Sequence, residues 1–324
     1  MILNKKYFLN LLNKNFIFEK KPSIAVAVSG GPDSMALLFL LIEWIKTKKG
    51  NIIALIINHN MRNNSSEEAS SVIKFLNKNN INSKILSVKK SSVKKRSMSE
   101  ARLNRYKLLF KYCNNNNILH LFIGHHKDDN LETFIYRKIS GSDFAGLQSM
   151  QISTLWNKIS IIRPLLNISK KEIYKYNIKN KIPFLEDPSN VNLNFTRPTI
   201  RKFLKNSNNK IREEILNEFK IIKKNQNLYN QMIYEIILRN IVFINTKCIK
   251  IIYKDFIKLD KIISEKIIKI IYTFLFHKKT FLRSIKIQIL IDKMFQKNFK
   301  LFDLKGMLVE KQRNLLVFSK KNQL

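Results

Sequence analysis

Cysteine is nearly missing from this chain. Its 324 residues include two, Cys113 and Cys248, far apart and outside any CxxC pairing. That excludes a disulfide framework, a cysteine-based zinc site and an iron–sulfur cluster. Long apolar runs are missing too: none approaches the roughly 18 residues that a membrane-spanning helix needs. The opening stretch, MILNKKYFLNLLNKNF, interleaves Lys and Asn with its apolar residues. It lacks the unbroken apolar core of a signal peptide and reads as an amphipathic surface helix. The chain is therefore expected in the cytoplasm and off the membrane. Acidic residues are scarce, 23 against 60 Lys and Arg, for a formal charge of +37. Only 12 of those 60 are Arg, so part of the charge reflects a drift of composition towards Lys. Such a drift does not remove acids, however, and a field this positive draws polyanions, nucleic acid first among them.

Glycine and proline are also rare, seven and six, and their placement divides the chain. After Pro198 there is no proline and a single glycine, Gly306, so turn punctuation almost vanishes. The length suits two domains, here residues 1–204 and 205–324. The first part alternates strand and helix. Ile24–Val28, Ile52–Ile57, Lys84–Val88, Leu119–Ile123 and Ile159–Arg163 are short, β-branched and almost continuously apolar, as strands covered on both faces should be. Ser65 to Glu68, Ser97 to Glu100 and Ser169 to Glu172 have the spacing of helix capping boxes. The expectation is an α/β fold, a parallel sheet with helices on both faces. Residues 205–324 read as a smaller, mainly helical domain, with a possible short β element near MLVEKQRNLLVF.

Two of the few glycines stand side by side in SGGPDS, between the first strand and a helix running from Met35. Gly30 and Gly31 allow positive φ and close approach of the backbone to a ligand. The helix start offers free N–H groups, and Ser34 is placed to cap it. A bare Gly-Gly is an ordinary turn; six matching positions from Ser29 to Ser34 in a strand–turn–helix setting point to phosphate binding. No Gly-Lys-Ser/Thr follows, so this is not a Walker A loop. It resembles the PP-loop of the ATP pyrophosphatases, which split ATP between its α and β phosphates. In that resemblance Ser29, Gly30, Gly31, Pro32, Asp33 and Ser34 bind ATP, and Asp33 reaches pyrophosphate through a Mg²⁺ ion.

The fourth strand runs into GHHKDDNLETF, residues 124–134. Asp129 and Glu132 have capping-box spacing, and Asp128 and Asp129 suit the positive end of a helix dipole. The same residues also stand where a parallel strand ends, and ligands of open α/β sheets bind at that edge. Spacing alone leaves both readings open. The segments SGGPDSMALL, INHNMR, SEARLNRY, GHHKDDNLET, SGSDFAGLQSM, IIRPLL and EDPSNVNLNFTRPTIR follow in that order. With them the chain, from about residue 24 to 202, is similar to the tRNA(Ile)-lysidine synthases. Asn60 stands where that family usually has Gly, and Pro198 where it usually has Asn; residues 205–324 are similar in character only.

The resemblance implies a ligase acting in two steps on the CAU-anticodon isoleucine tRNA. ATP adenylates the wobble cytidine, then free L-lysine displaces AMP to leave lysidine. It implies ATP and Mg²⁺ as cofactors, with Asp33, His125, Asp129, Arg197 and Arg201 as catalytic candidates. Arg102, Arg105, Asp129 and Glu132 become candidates for substrate binding, and His59 for contact with ATP. Two alternatives stand beside it: a tRNA thiolase of the same superfamily, which generally uses CxxC cysteines that are absent here, and a non-catalytic RNA-binding protein. Cys113 and Trp44 read as core residues rather than a nucleophile or a base-stacking platform.

Overall fold

The computed structural model describes residues 2–58, 65–88, 98–142, 144–147, 149–156, 158–185, 196–276, 282, 284–296 and 298–321. The chain divides into two compact units, Met1–Ile222 and Lys223–Leu324. The first begins with α1 (Lys5–Asn15), β1 (Ser23–Val28), α2 (Pro32–Lys48), β2 (Asn51–Asn58), α3 (Ser65–Lys78) and β3 (Ser83–Ser87). It continues with α4 (Met98–Asn115), β4 (His120–Ile123), α5 (Lys127–Ile139), α6 (Phe144–Leu147), β5 (Ser153–Trp156) and β6 (Ile159–Ile162). Then come α7 (Lys170–Lys179), α8 (Thr196–Asn206) and α9 (Asn209–Asn240).

The six strands form one sheet in the order β3-β2-β1-β4-β6-β5. All neighbours are parallel except β5, which joins β6 as an antiparallel edge. The five expected strands lie within one residue of their sequence bounds; β5 was not foreseen. Alternation along the strands feeds two cores. Ile24, Val26, Val28 and Phe122 pack on the side of α1, α2, α3 and α7. Ala25, Leu121, Ile159 and Ile161 pack with Leu109, Phe110 and Cys113 of α4 on the other. Trp44 is fully buried in the first core, and Phe8, Leu11 and Leu12 anchor the apolar stripe of α1 there. Burial pushes the Cys113 thiol up to about 12, so it is a core residue with no nucleophile to offer.

The boundary between the units lies inside α9, near residue 222, where the sequence pattern suggests one after residue 204. Residues 209–240 contain no glycine or proline to break the helix, and its first turns belong to the first unit. There Ile215, Leu216 and Phe219 pack with Leu131 and Phe134 of α5 and Ile200 and Leu204 of α8.

The second unit adds β7 (Ile241–Ile244), β8 (Cys248–Ile252), α10 (Tyr253–Phe256), α11 (Lys261–Phe276), α12 (Ser284–Met294), β9 (Leu301–Leu304), β10 (Met307–Gln312) and β11 (Leu315–Lys320). Its strands make an antiparallel sheet ordered β7-β8-β11-β10-β9. Ile249, Ile251, Leu316, Phe318, Met307 and Val309 face the helices Ile267, Ile271 and Leu290 belong to. The β element expected near MLVEKQRNLLVF is the hairpin of β10 and β11, and three more strands extend it. Four- and five-residue strands without Gly or Pro at their ends carry too little pattern to be told from helix. No helix of the described residues is long and apolar enough to cross a membrane.

Candidate functional site at the carboxyl edge of the parallel sheet

β1 and β4 are neighbours in the sheet although β2 and β3 lie between them in the chain. Strand order reverses here, and a crevice opens beyond the two carboxyl ends. One wall is the turn from β1 into α2. Gly30 has φ +83°, and a Cβ there would stand 2.6 Å from the Val72 side chain, so both backbone and space require glycine. The amide of Leu185 donates to the Gly30 carbonyl at 2.9 Å. The helix begins at Pro32, three residues earlier than expected, with Gly31 as N-cap and no side-chain cap. Ser34 therefore braces the turn and does not cap it. Its hydroxyl donates to the Gly31 carbonyl at 3.0 Å and accepts from the Ser29 amide at 3.2 Å. An uncapped helix start leaves N–H groups for an anion.

The other wall is the exit of β4. A Cβ on Gly124 would lie 3.1 Å from the Asp33 carbonyl and the Ser34 amide nitrogen, so glycine lets this loop close on the start of α2. His126 then caps α5. Its ring accepts from the Asp129 amide at 3.3 Å, while the Asp129 carboxylate accepts from the His126 amide at 3.1 Å. The capping box is thus His126–Asp129, and Glu132 is released from that role. Asp33 lies 3.6 Å from His126 Nε2, and Asp128 lies 3.6 Å from His126 Nδ1. Asp128 also accepts from the Lys170 amide at 2.8 Å.

Asp33 carries the electrostatic tension of this wall. Its Oδ1 is buried with no hydrogen-bond partner among the described residues. Burial pushes the carboxyl above its usual range; His126 pulls against this, and Asp129 adds to it. Burial likewise raises Glu132, against the pull of Arg201. Glu132 Oε1 accepts from Arg201 Nε at 2.7 Å, and its Oε2 is buried without a partner among the described residues. Burial works against the Arg201 charge, but its bond to Glu132 and the nearby acids carry its pKa up. Arg201 Nη2 also lies 4.0 Å from Asp129.

A basic group gathers beside the acids. Arg163, just past β6, is buried at 7% exposure and donates from Nη1 to the Gln151 carbonyl at 3.0 Å and to Thr154 Oγ1 at 3.1 Å. Burial lowers its pKa, Tyr106 opposes that, and the Arg102 charge adds to it. Arg102 and Arg105 lie over the Tyr106 ring, 5.5 and 5.9 Å from its centroid. Burial holds His125 well below the ordinary imidazole range, and Arg163, Arg102 and Arg105 push the same way. His125 is a neutral ring at pH 7, with Nδ1 buried and unpartnered among the described residues.

Most expected residues therefore meet at one edge: the Ser29–Ser34 turn, His125, Asp129, Glu132 and Arg201, with Arg102 and Arg105 close to His125. His59, Asn60 and the Arg197 side chain lie outside the described residues. Pro198 sits in the first turn of α8, where the absent N–H is harmless. Sequence pattern gives no role to Gly124 or Arg163, and it pairs His126 with the acids without assigning it the cap. A signal for His126 is present all the same: it directly precedes a helix opening on Lys-Asp-Asp, the position of a cap.

A family model described as a PP-loop domain matches residues 3–208. A protein of Wolbachia pipientis wMel named tRNA(Ile)-lysidine synthase is 41% identical over 213 residues, 65% of this chain and 48% of that protein. One of the same name from Orientia tsutsugamushi (strain Boryong) is 39% identical over 188 residues, 58% of this chain and 42% of that protein. The chain spans about half the length of the curated relatives it matches. Among solved structures, the U34-tRNA thiolase NcsA from Methanococcus maripaludis superposes with a TM-score of 0.56 at 19% identity. That match covers 69% of this chain and 78% of that one, and it shows a shared fold.

Proposed function

Because the chain belongs to the PP-loop domain family, we propose that it is an ATP-dependent ligase that makes lysidine at the wobble cytidine of the CAU-anticodon isoleucine tRNA. The observation that carries this reading is the uncapped start of α2 beside the buried Asp33 oxygen, which has no partner among the described residues, with His126 between Asp33 and Asp129. Cytosine O2 attacks the α-phosphate of ATP, the bond to the β-phosphate breaks and pyrophosphate leaves. The lysine ε-amine, having lost a proton, then bonds to C2, and the C2–O bond breaks as AMP departs.

The turn from Ser29 to Ser34 holds the phosphates with backbone N–H groups, and Arg197 and Arg201 of α8 offset charge building on them. No group of three or more His, Cys, Asp or Glu among the described residues is arranged to hold a metal. Mg²⁺ does not need one, because it favours one or two carboxylates with phosphate oxygens and water. The orphaned Asp33 oxygen fits that demand, and the ion would supply charge neutralisation at pyrophosphate. Asp129 and the free oxygen of Glu132 suit the lysine ammonium. Neutral His125, with Arg102 and Arg105 beside it, suits the cytosine ring and its phosphate. Residues 223–324 carry 22 Lys and Arg against seven Asp and Glu, and we assign them a tRNA-contacting role.

A thiolase is less well supported. Cys113 is buried in the core and Cys248 lies on β8 of the second unit. Mass spectrometry of the tRNA after incubation with ATP, Mg²⁺ and lysine decides between them. A gain of one lysine less one water at the wobble base is expected; an exchange of oxygen for sulfur, or no change, would refute the assignment.

A further inference from the structure

Asn177 lies in α7 and is 0% exposed. Its neighbours Ile173 and Tyr176 belong to the apolar core that α7 shares with α2. Its Nδ2 donates to the Pro32 carbonyl at 2.8 Å, linking residues 145 positions apart in the chain. Its Oδ1 is buried and has no partner among the described residues. A buried amide that strands its own carbonyl is a poor stabilising device, because an apolar side chain of similar size fills the same space without that penalty. What the amide does supply is a fixed point. Pro32 is the first residue of α2, and Asp33 comes next.

The chain around α7 grips the crevice at two more places. Leu185, beyond its end, bonds to the Gly30 carbonyl, and the Lys170 amide at its start bonds to Asp128. The phosphate turn and the start of α5 are thus both referred to one helix. Displacing either by a fraction of an ångström would change the spacing between Asp33 and the acids of α5.

We propose that Asn177 is a positioning residue for the adenylation step. Its amide fixes the start of α2 so that the N–H groups of the turn and the Asp33 carboxylate stand in place for the phosphates of ATP. This rests on the reading of the turn as an ATP site.

The test is Asn177→Leu in the full chain. The melting temperature should equal or exceed that of the wild type. The KM for ATP should rise and kcat for adenylation fall, with kcat/KM down about tenfold to a hundredfold, the usual scale for a misplacement remote from the chemistry. The KM for lysine should not move. A lowered melting temperature with unchanged kcat/KM per folded molecule would make Asn177 merely structural and overturn the proposal. Should Asn177→Leu fail to fold, Asn177→Ser, too short to reach Pro32, replaces it with the same expected loss and the same contradicting result. Hydrogen exchange at the Met35 amide, which donates to the Gly31 carbonyl at 3.1 Å, separates this from failure of the functional reading. Faster exchange is expected in the variant whatever the turn binds, and unchanged exchange overturns the proposal. A wild-type protein that neither binds ATP nor adenylates tRNA would refute the functional reading alone.

Discussion

His125 and His126 are consecutive, and they stand in opposite electrostatic settings. His126 lies within 3.6 Å of Asp33, Asp128 and Asp129. His125 is held low in pKa by burial, and the charges of Arg163, Arg102 and Arg105 push the same way. Both histidines lie in the short link between β4 and α5. The α2 and α5 side collects acids, and the α4 and β6 side collects arginines. One edge thus offers a cation-binding wall and an anion-binding wall a residue apart. On the proposed function, ATP with its metal and the lysine ammonium would take the first and the nucleotide of tRNA the second.

Removing the Asp33 charge should break the acidic wall most severely. Asp33→Asn should lower the adenylation rate by about a hundredfold or more, the loss typical of an electrostatic interaction made in the transition state. The same change should stabilise the free protein at pH 7. Because burial raises the folded-state pKa of Asp33, its contribution is most favourable below the ordinary aspartate range and is lost as pH rises through the raised value. The gain in melting temperature should therefore shrink as pH falls to that range; a gain independent of pH would mean the carboxyl is not held high.

Glu132→Gln tests the division within the acidic wall. Adenylation should survive, while the lysine concentration for half-maximal yield should rise by about tenfold, as expected when a charge-assisted bond becomes a neutral one. Equal loss in both steps would mean that Glu132 serves the ATP site through Arg201. On the basic wall, Arg102→Gln with Arg105→Gln should weaken tRNA binding and leave ATP affinity unchanged. The salt dependence of binding should fall by about one unit of slope for each phosphate left unneutralised. The smallest effect belongs to the second unit. Replacing the exposed Lys247, Lys254 and Lys286 with Gln should lower the slope by at most about three units without altering either chemical step. An unchanged slope would make the charge there compositional.

The site was legible where sequence pattern and physical demand coincide. SGGPDS between an apolar strand and a helix marked the phosphate turn, and five apolar runs marked five strands to within a residue. Ser169 and Glu172 form the capping box their spacing announces. The same spacing at Asp129 and Glu132 left capping and ligand binding both open, and the structure gives the cap to His126 and Asp129 instead. Gly124 gave no sign of its close approach to α2, since the reason for it is a backbone 91 positions earlier in the chain. Arg163 looked like the end of a strand, and its burial against Gln151 and Thr154 depends on tertiary packing. The second unit was least legible: its strands are short, a single glycine marks their turns, and the pairing of β8 with β11 that completes the sheet joins segments far apart in the chain.

Central to the account is that ATP activates the cytidine before lysine enters. Wild-type protein incubated with α-phosphate-labelled ATP, Mg²⁺ and tRNA, with lysine withheld, should transfer label to the tRNA. Adding lysine should then release that label as AMP while lysidine appears in equal amount. Label that never reaches the tRNA, or that leaves it at the same rate without lysine, would contradict the account.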